Sequence, residues 1–432
     1  MKKSLLVLGG GESGTGAALL AKKEGYQVLV SDHGPIAEKY KTMLQEANVP
    51  YEENGHSFET FFEFSEVVKS PGIPDQLEFI QAFGQQGIPV ISEIEFAARF
   101  TDAYIIAITG SNGKTTTTNL VYQILKHTGK DVALVGNVGQ SFAWTVAFEP
   151  AQIYALELSS FQLDGIKQFR PNISILLNIS PDHLDRYAYD FDAYADSKLR
   201  ITMNQTKGDV FIYNGDDTKT LERLNQVDSL VEHIAVNRAL VEQMGQSFEW
   251  TNRALSGRHN QFNASCVIQA MLTLGLSPAA IQQGLDAFVN DPHRLELFLE
   301  SQGIEFVNDS KATNVDAVFF ALDAAEKPVI WIVGGVDKGN DYKTIDALVQ
   351  DKVEAIIALG TDNSAIMNYF ENKVPLIAST DSLESMLEKI QTWAKPGMQV
   401  LLSPACASFD LFRNYMHRGE AFKEIILKNY TK

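Results

Sequence analysis

The stretch Ile105-Ile106-Ala107-Ile108-Thr109-Gly110-Ser111-Asn112-Gly113-Lys114-Thr115-Thr116 joins an apolar run to a helix-like segment. It predicts a strand, a glycine loop that cradles phosphate, and the start of a helix. Gly110 and Gly113 let backbone N–H groups close on an anion, Lys114 adds a mobile positive charge, and the Thr115 hydroxyl can hold Mg²⁺. ATP is the ligand expected at Gly110 to Thr116, with Ser111, Asn112 and Thr116 completing the loop; an ordinary glycine turn is the alternative. The common phosphate loop has four residues between its glycines. Here two separate Gly110 from Gly113, and Ile108 stands six places before Lys114.

On both sides of this junction, short aliphatic runs alternate with longer amphipathic stretches, the pattern of parallel sheets flanked by helices. A chain of 432 residues exceeds what one core usually supports, so about three domains are expected. Ile88-Pro89-Val90-Ile91 and Asn290-Asp291-Pro292 mark the boundaries, giving 1–92, 93–291 and 292–432. Asp216 to Ser229 reads as helix and loop, and Ala235 to Thr251 gives no clear element.

With 45% hydrophobic and 21% charged residues the composition is that of a folded globular protein. The 36 basic and 54 acidic residues give a net charge of -18, which opposes binding to nucleic acid or an anionic membrane. An anionic substrate must then be held by local devices. Cys266 and Cys406 provide neither a disulfide framework nor a thiolate zinc cluster, so a reducing cytoplasm is expected. Leu5 to Leu8 after Met1-Lys2-Lys3 imitates a signal peptide, but Gly9-Gly10-Gly11-Glu12 ends the apolar run early. No stretch approaches the roughly 18 apolar residues of a membrane span.

The polar clusters fall at the ends of the apolar runs, where open α/β sheets bind ligands. Gly9-x-Gly11-x-x-Gly14, followed by Asp32, matches the dinucleotide fingerprint. A block ending near residue 92 is too short for both halves of a dinucleotide fold and suits one nucleotide diphosphate better. Glu157 ends the run Ile153 to Leu156, where a carboxylate reaches the Mg²⁺ of a bound nucleotide or merely caps a helix. His183, in Ser180-Pro181-Asp182-His183-Leu184-Asp185, can ligate metal as a neutral imidazole. Lys198 lies in a charge-rich helical pattern and reads as part of a solvated face. Asn260 and Asn263 fall in the first turns of a helix after Gly257, as ligands or as caps. Arg294 follows the second boundary, suited to phosphate. Asp309-Ser310-Lys311 and Gly334-Gly335-Val336-Asp337-Lys338 place lysines at strand ends, suiting anionic substrates.

Gly110 to Thr116, Gly136-Asn137, Glu157-Leu158-Ser159-Ser160-Phe161-Gln162, Asp182 to Arg186, Ser197-Lys198, Gly257 to Asn263, His293-Arg294, Asp309 to Asn314 and Ser403 to Asp410 together resemble the Mur ligases of peptidoglycan synthesis, nearly end to end. The short glycine spacing is itself similar to that family's loop. Ser403-Pro404-Ala405-Cys406-Ala407-Ser408-Phe409-Asp410 resembles the branch that adds D-glutamate to UDP-N-acetylmuramoyl-L-alanine; the Asp-Asn-Pro-Arg signature of the diaminopimelate-adding branch is absent. The resemblance implies an α/β protein of three domains: a Rossmann-like UDP-substrate domain, a central P-loop ATPase-like domain with a parallel sheet, and a Rossmann-like amino-acid domain. It implies an ATP-dependent amide ligase acting through an acyl phosphate, with Lys114, Glu157, His183 and Lys198 catalytic. Thr115 and Glu157 would hold one Mg²⁺, and Glu157, His183 and a carbamylated Lys198 a second, reversing the solvated reading of Lys198. Asn260, Asn263, Arg294, Asp309 and Lys311 would line ATP. Ser13, Asp32, His33, Gly72, Asn137 and Gln162 would bind the UDP substrate, and Thr313, Lys338, Ser408 and Tyr415 D-glutamate. Gly34 departs from relatives with arginine there, and Tyr415 from relatives with phenylalanine. A cytoplasmic monomer is expected. The competing readings are a sister ligase or folylpolyglutamate synthetase relative, an NAD-dependent oxidoreductase with an incidental Gly-Lys-Thr loop, and a nucleotide-binding regulator.

Overall fold

The computed structural model describes residues 3–337 and 339–431. Lys338 lies outside the described residues. Two compact units are formed, one from Met1–Glu249 with Phe262–Ala287, the other from Trp250–Gln261 with Phe288–Lys432.

The first unit holds two sheets. β1 (Ser4–Leu8), β2 (Gln27–Ser31), β3 (Tyr51–Glu52), β4 (Glu66–Lys69) and β5 (Val90–Ile91) lie in the order β3-β2-β1-β4-β5. All pairs are parallel. Central β1 is covered on both faces, which is why Leu5 to Leu8 is unbroken apolar sequence. β6 (Tyr104–Thr109), β7 (Val132–Gly136), β8 (Ile153–Glu157), β9 (Ile173–Leu176), β10 (Val210–Asn214) and β11 (Glu232–Val236) form a second parallel sheet in the order β11-β10-β9-β6-β8-β7. Connections from β6 run first to one side and later to the other. The carboxyl end of β6 is therefore a topological switch point, where ligands of open α/β sheets bind.

These two sheets share one core. Leu5, Val7, Ala17 and Leu20 pack in the same buried cluster as Phe142, Val146 and Tyr154. The helices Glu12–Lys23 and Phe142–Phe148 meet closely, and a Cβ at Gly16 would run into the Ser141 side chain. Beside this contact, buried Glu93 accepts hydrogen bonds of 2.7 Å from both Ser141 Oγ and the Ala143 N–H. Burial outweighs those bonds and pushes the Glu93 carboxyl up to about 7.

The second unit has one sheet: β12 (Glu296–Ser301), β13 (Ile304–Asn308), β14 (Val329–Val333), β15 (Val353–Leu359), β16 (Leu376–Thr380) and β17 (Gln399–Leu402), ordered β12-β13-β17-β14-β15-β16. It is parallel except for β12, which runs antiparallel to β13. That departure from the expected parallel pattern comes from Gln302-Gly303, with φ of 54° and 76°. Two consecutive positive φ values form the tight turn that folds a hairpin back. The unassigned stretch Ala235 to Thr251 contains the end of β11 and a helix, Arg238–Met244. Among the described residues no helix is long and apolar enough to cross a membrane.

Candidate active site

The loop Gly110–Gly113 links β6 to the helix Lys114–His127, with Gly113 as N-cap at φ 84°. A side chain rarely adopts that conformation, and a Cβ there would stand 2.8 Å from Asn263 Nδ2. Not every loop amide faces outward as expected of a glycine cradle. Ser111 N–H donates to the Asn178 carbonyl at 2.9 Å and Asn112 N–H to Asn178 Oδ1 at 2.9 Å. Asn178, absent from the sequence-derived set, thus braces the loop, and the helix's first turn carries the anion-binding potential. Thr115 and Thr116 stand in that turn, both largely buried. Lys114 Nζ donates to the carbonyls of Gly110 at 2.8 Å and Ser111 at 2.9 Å.

Lys198 contradicts the solvated-face reading. It is 2% exposed, its Nζ donates to the same Gly110 carbonyl at 2.8 Å, and it lies 4.6 Å from the Tyr194 ring centroid. Its helix, Phe191–Leu199, buries Tyr194, Ala195 and Leu199 in an aromatic core, which draws Lys198 inward despite its charged neighbours. Burial first, then the Lys114 charge, drive its pKa well below 10.5, against the pull of Asp182, Asp164 and Glu157.

A cavity of about 240 Å³ gathers Gly72, Lys114, Asn137, His183 and Lys198 from three strand-end loops and two helices. Phe161, Asp182, Arg186 and Tyr194 also line it. Glu157 ends β8 at 1% exposure; its Oε1 accepts from Asn137 Nδ2 at 2.7 Å, while buried Oε2 has no protein partner. Such an orphaned carboxylate oxygen beside a phosphate loop fits a cation. His183, with 57% of its side chain exposed, stands 3.6 Å from Asp182. Among the described residues no three His, Cys, Asp or Glu side chains close on one point. Gln162 does not line the cavity. It is buried and closes a capping box with Ser159, accepting from Ser159 N–H at 2.9 Å. Asn263 is 1% exposed, and both its amide atoms lack a partner in the protein. Those orphans fit a ligand on the loop.

A second cluster occupies the carboxyl ends of β1 and β2. Asp32 accepts from the Gly10 N–H at 2.6 Å and the Gly34 N–H at 2.9 Å, locking the glycine turn before Ser13. His33 is exposed beside it. Arg186 reaches across from the second sheet, donating to the carbonyls of Pro71 at 3.3 Å and Gly72 at 3.4 Å. Its guanidinium also lies over the Phe161 ring, 4.5 Å from the centroid.

In the second unit, Asp309 follows β13 and accepts from Ser403 Oγ at 2.8 Å and the Leu295 N–H at 3.2 Å. Burial pushes its carboxyl up to about 7 despite these bonds and the Arg294 and Arg418 charges. Arg294 has a buried Nε without a protein partner. Lys311 Nζ bonds the Tyr415 hydroxyl at 3.2 Å. Ser408 is buried, Thr313 exposed, and Asn260 bonds the carbonyls of Ala254 and Ser256 at 3.4 and 3.2 Å. Asn260 therefore carries a local structural role, and Asn263 carries the orphaned amide.

A phosphate loop at the switch point of a parallel sheet, with a buried carboxylate one strand away, defines the class of P-loop nucleotide-dependent α/β enzymes. Family models match in chain order: the MurD N-terminal domain over 5–78, the Mur ligase middle domain over 108–271 and the Mur ligase glutamate ligase domain over 293–406. The chain is 45% identical over 451 residues to a UDP-N-acetylmuramoylalanine--D-glutamate ligase of Porphyromonas gingivalis, covering 99% of each. It is 45% identical over 442 residues to the enzyme of the same name from Christiangramia forsetii, again covering 99% of each. The fold matches MurF of Acinetobacter baumannii with a TM-score of 0.61 at 17% identity, covering 99% of this chain and 91% of that one. The chain belongs to the Mur ligase family, whose members are ATP-dependent ligases acting on small molecules.

Proposed function

We propose that this chain joins D-glutamate to UDP-N-acetylmuramoyl-L-alanine using ATP, in the synthesis of peptidoglycan precursors. The observation that carries this reading is the 45% identity, over 99% of both chains, to enzymes whose names state that reaction. On it, residues 1–92 bind the UDP substrate, 93–291 ATP and 292–432 the amino acid. Lys114 draws charge from the transferring phosphoryl group, and Asn263 contacts the nucleotide. The substrate carboxylate oxygen attacks the γ-phosphorus, and the bond to ADP breaks. The amine of D-glutamate then attacks the acyl carbon, and collapse of the tetrahedral adduct expels phosphate and leaves the amide. Asn137 and His183 stand near the reacting acyl end. Thr115 and Glu157 would hold Mg²⁺, which neutralises phosphoryl oxygens as they gain charge. Glu157, His183 and Lys198 would hold a second ion if Lys198, whose burial favours a neutral amine, adds CO₂ with loss of a proton to become a carbamate.

Asp309, Arg294 and Lys311 serve the nucleotide, while Thr313, Lys338, Ser408 and Tyr415 serve the D-glutamate carboxylates. A cytoplasmic monomer is part of this reading. ADP release measured with UDP-N-acetylmuramoyl-L-alanine and each candidate amino acid in turn tests it. D-glutamate is expected to stimulate turnover, and no stimulation by D-glutamate would refute the proposal.

A further inference from the structure

Beside the glycine turn of the first sheet lies a relay that no sequence motif announces. Ser31, the last residue of β2, is fully buried, and its Oγ donates to Glu52 Oε1 at 2.6 Å. The Ser57 N–H donates to the same oxygen at 2.9 Å. Burial raises the Glu52 pKa, but these bonds outweigh it and the carboxylate is held below its ordinary range. An ionised Glu52 takes the single Ser31 hydroxyl proton. His56 Nδ1 also contacts Ser31 Oγ, at 2.6 Å, so the proton in that bond must belong to the imidazole. His56 is consequently fixed as the Nδ1–H tautomer, with Nε2 presenting a lone pair. Among the described residues Nε2 has no hydrogen-bond partner, and His56 is only partly buried.

Aromatic rings pack against the imidazole and leave it partly exposed. Phe58, Phe61 and Phe79 pack around it at centroid distances of 5.4, 5.7 and 5.6 Å. His33, which follows Asp32, faces it at 5.8 Å with an interplanar angle of 36°. The charged and titratable groups around His56 are Glu52, Asp32 and His33. Burial and the His33 charge lower the His56 pKa below 6.5, which keeps the acceptor form at neutral pH.

We infer that His56 is the base-selecting residue of the nucleotide site at β1 and β2, with Nε2 accepting the N3–H of uracil. Uracil offers a donor at N3, whereas cytosine offers an acceptor there and would face a second lone pair. Loss of such a bond, with a polar atom left unpaired, costs about tenfold or more in affinity. The inference rests on the UDP-substrate reading above and adds the group that distinguishes its base. It also supplies recognition where Gly34 has no side chain to contribute.

Calorimetric titration of UDP and CDP into the full chain and two variants tests this. His56→Asn keeps a donor to Ser31 and lacks the acceptor at the Nε2 position; His56→Gln can place an amide oxygen there. The parent is expected to favour UDP over CDP by about tenfold or more, His56→Gln to retain that preference, and His56→Asn to reduce it to about twofold or less. UDP methylated at N3 tests the same bond without mutation and is expected to bind the parent about tenfold more weakly than UDP. If UDP binds but His56→Asn keeps the full preference, or N3-methylation is harmless, this inference falls and the UDP site stands. If UDP does not bind the parent at all, both fall.

Discussion

Replacing Lys198 with Met removes a buried amine while keeping most of its volume. In CO₂-free buffer near neutral pH the variant is expected to be more stable than the parent by about 1–3 kcal/mol. The variant forfeits one hydrogen bond, 2.8 Å to the Gly110 carbonyl, worth about 1 kcal/mol net. That carbonyl keeps Lys114 as a donor at 2.8 Å, so no acceptor is orphaned. On the other side stands the cost of holding lysine at 2% exposure, about 1.4 kcal/mol for each pH unit by which its pKa is depressed.

The folded pKa lies below 10.5, so between those two values the unfolded chain binds the extra proton. The parent should gain about 1.4 kcal/mol on the variant per pH unit across that window, and the difference should close as pH approaches the unfolded value. Urea midpoints read from hydrogen exchange of the β6 amides at three alkaline pH values measure this. A variant less stable than the parent at neutral pH without CO₂, or a gap that ignores pH, would overturn the account. Adding bicarbonate is expected to stabilise the parent alone and narrow the gap, as carbamylation of Lys198 requires.

Glu157→Gln should reduce Mg²⁺-dependent ATP turnover by about a hundredfold or more while leaving the unfolding midpoint unchanged or higher; retained turnover across a Mg²⁺ titration counts against a metal at Oε2. Gly113→Ala is expected to cost about 1–2 kcal/mol from its left-handed backbone alone and to weaken ATP binding, read by calorimetry alongside thermal unfolding. Asp309, raised from 3.8 to about 7, destabilises the native state as pH climbs through that interval. Asp309→Asn should therefore stabilise the second unit by a few kcal/mol at pH 8, an advantage that fades toward pH 4, and should impair ATP binding. In activity assays, Lys198→Ala should lose turnover and regain part of it with short-chain carboxylates; an unaffected variant removes Lys198 from the machinery.

The layout around Gly110 to Gly113 was legible because it is local: an apolar strand, two glycines and a helix start follow one another in the chain. The places of Glu157, which ends β8, and Asn137, which follows β7, were legible for the same reason. The burial of Lys198 was not, because it is decided by Tyr194 and Leu199 packing against strands β9 and β10, whereas Asp196 and Arg200, two places to either side, are charged. Asn178 braces the loop from a residue 66 positions away, and Arg186 meets Gly72 across 114. Contacts of that range leave no spacing to read. Gln162 is the opposite case: Ser159-x-x-Gln162 is a capping-box signature visible in sequence, and its side chain serves the helix. Strands such as β10, β15 and β16 position their neighbours without carrying a polar cluster that marks a ligand.

The common core of the first two sheets has a consequence for recombination. Exchanging residues 1–92 between relatives would separate Ala17 and Leu20 from the Phe142 and Val146 they evolved against, and would leave Gly16 facing a foreign residue 141. A chimera would inherit a mismatched seam unless the segment Ser141–Phe148 travelled with the first sheet. The smallest exchangeable piece of this protein is thus discontinuous in the gene, and successful crossovers should preserve that pairing rather than respect the apparent boundary in the sequence.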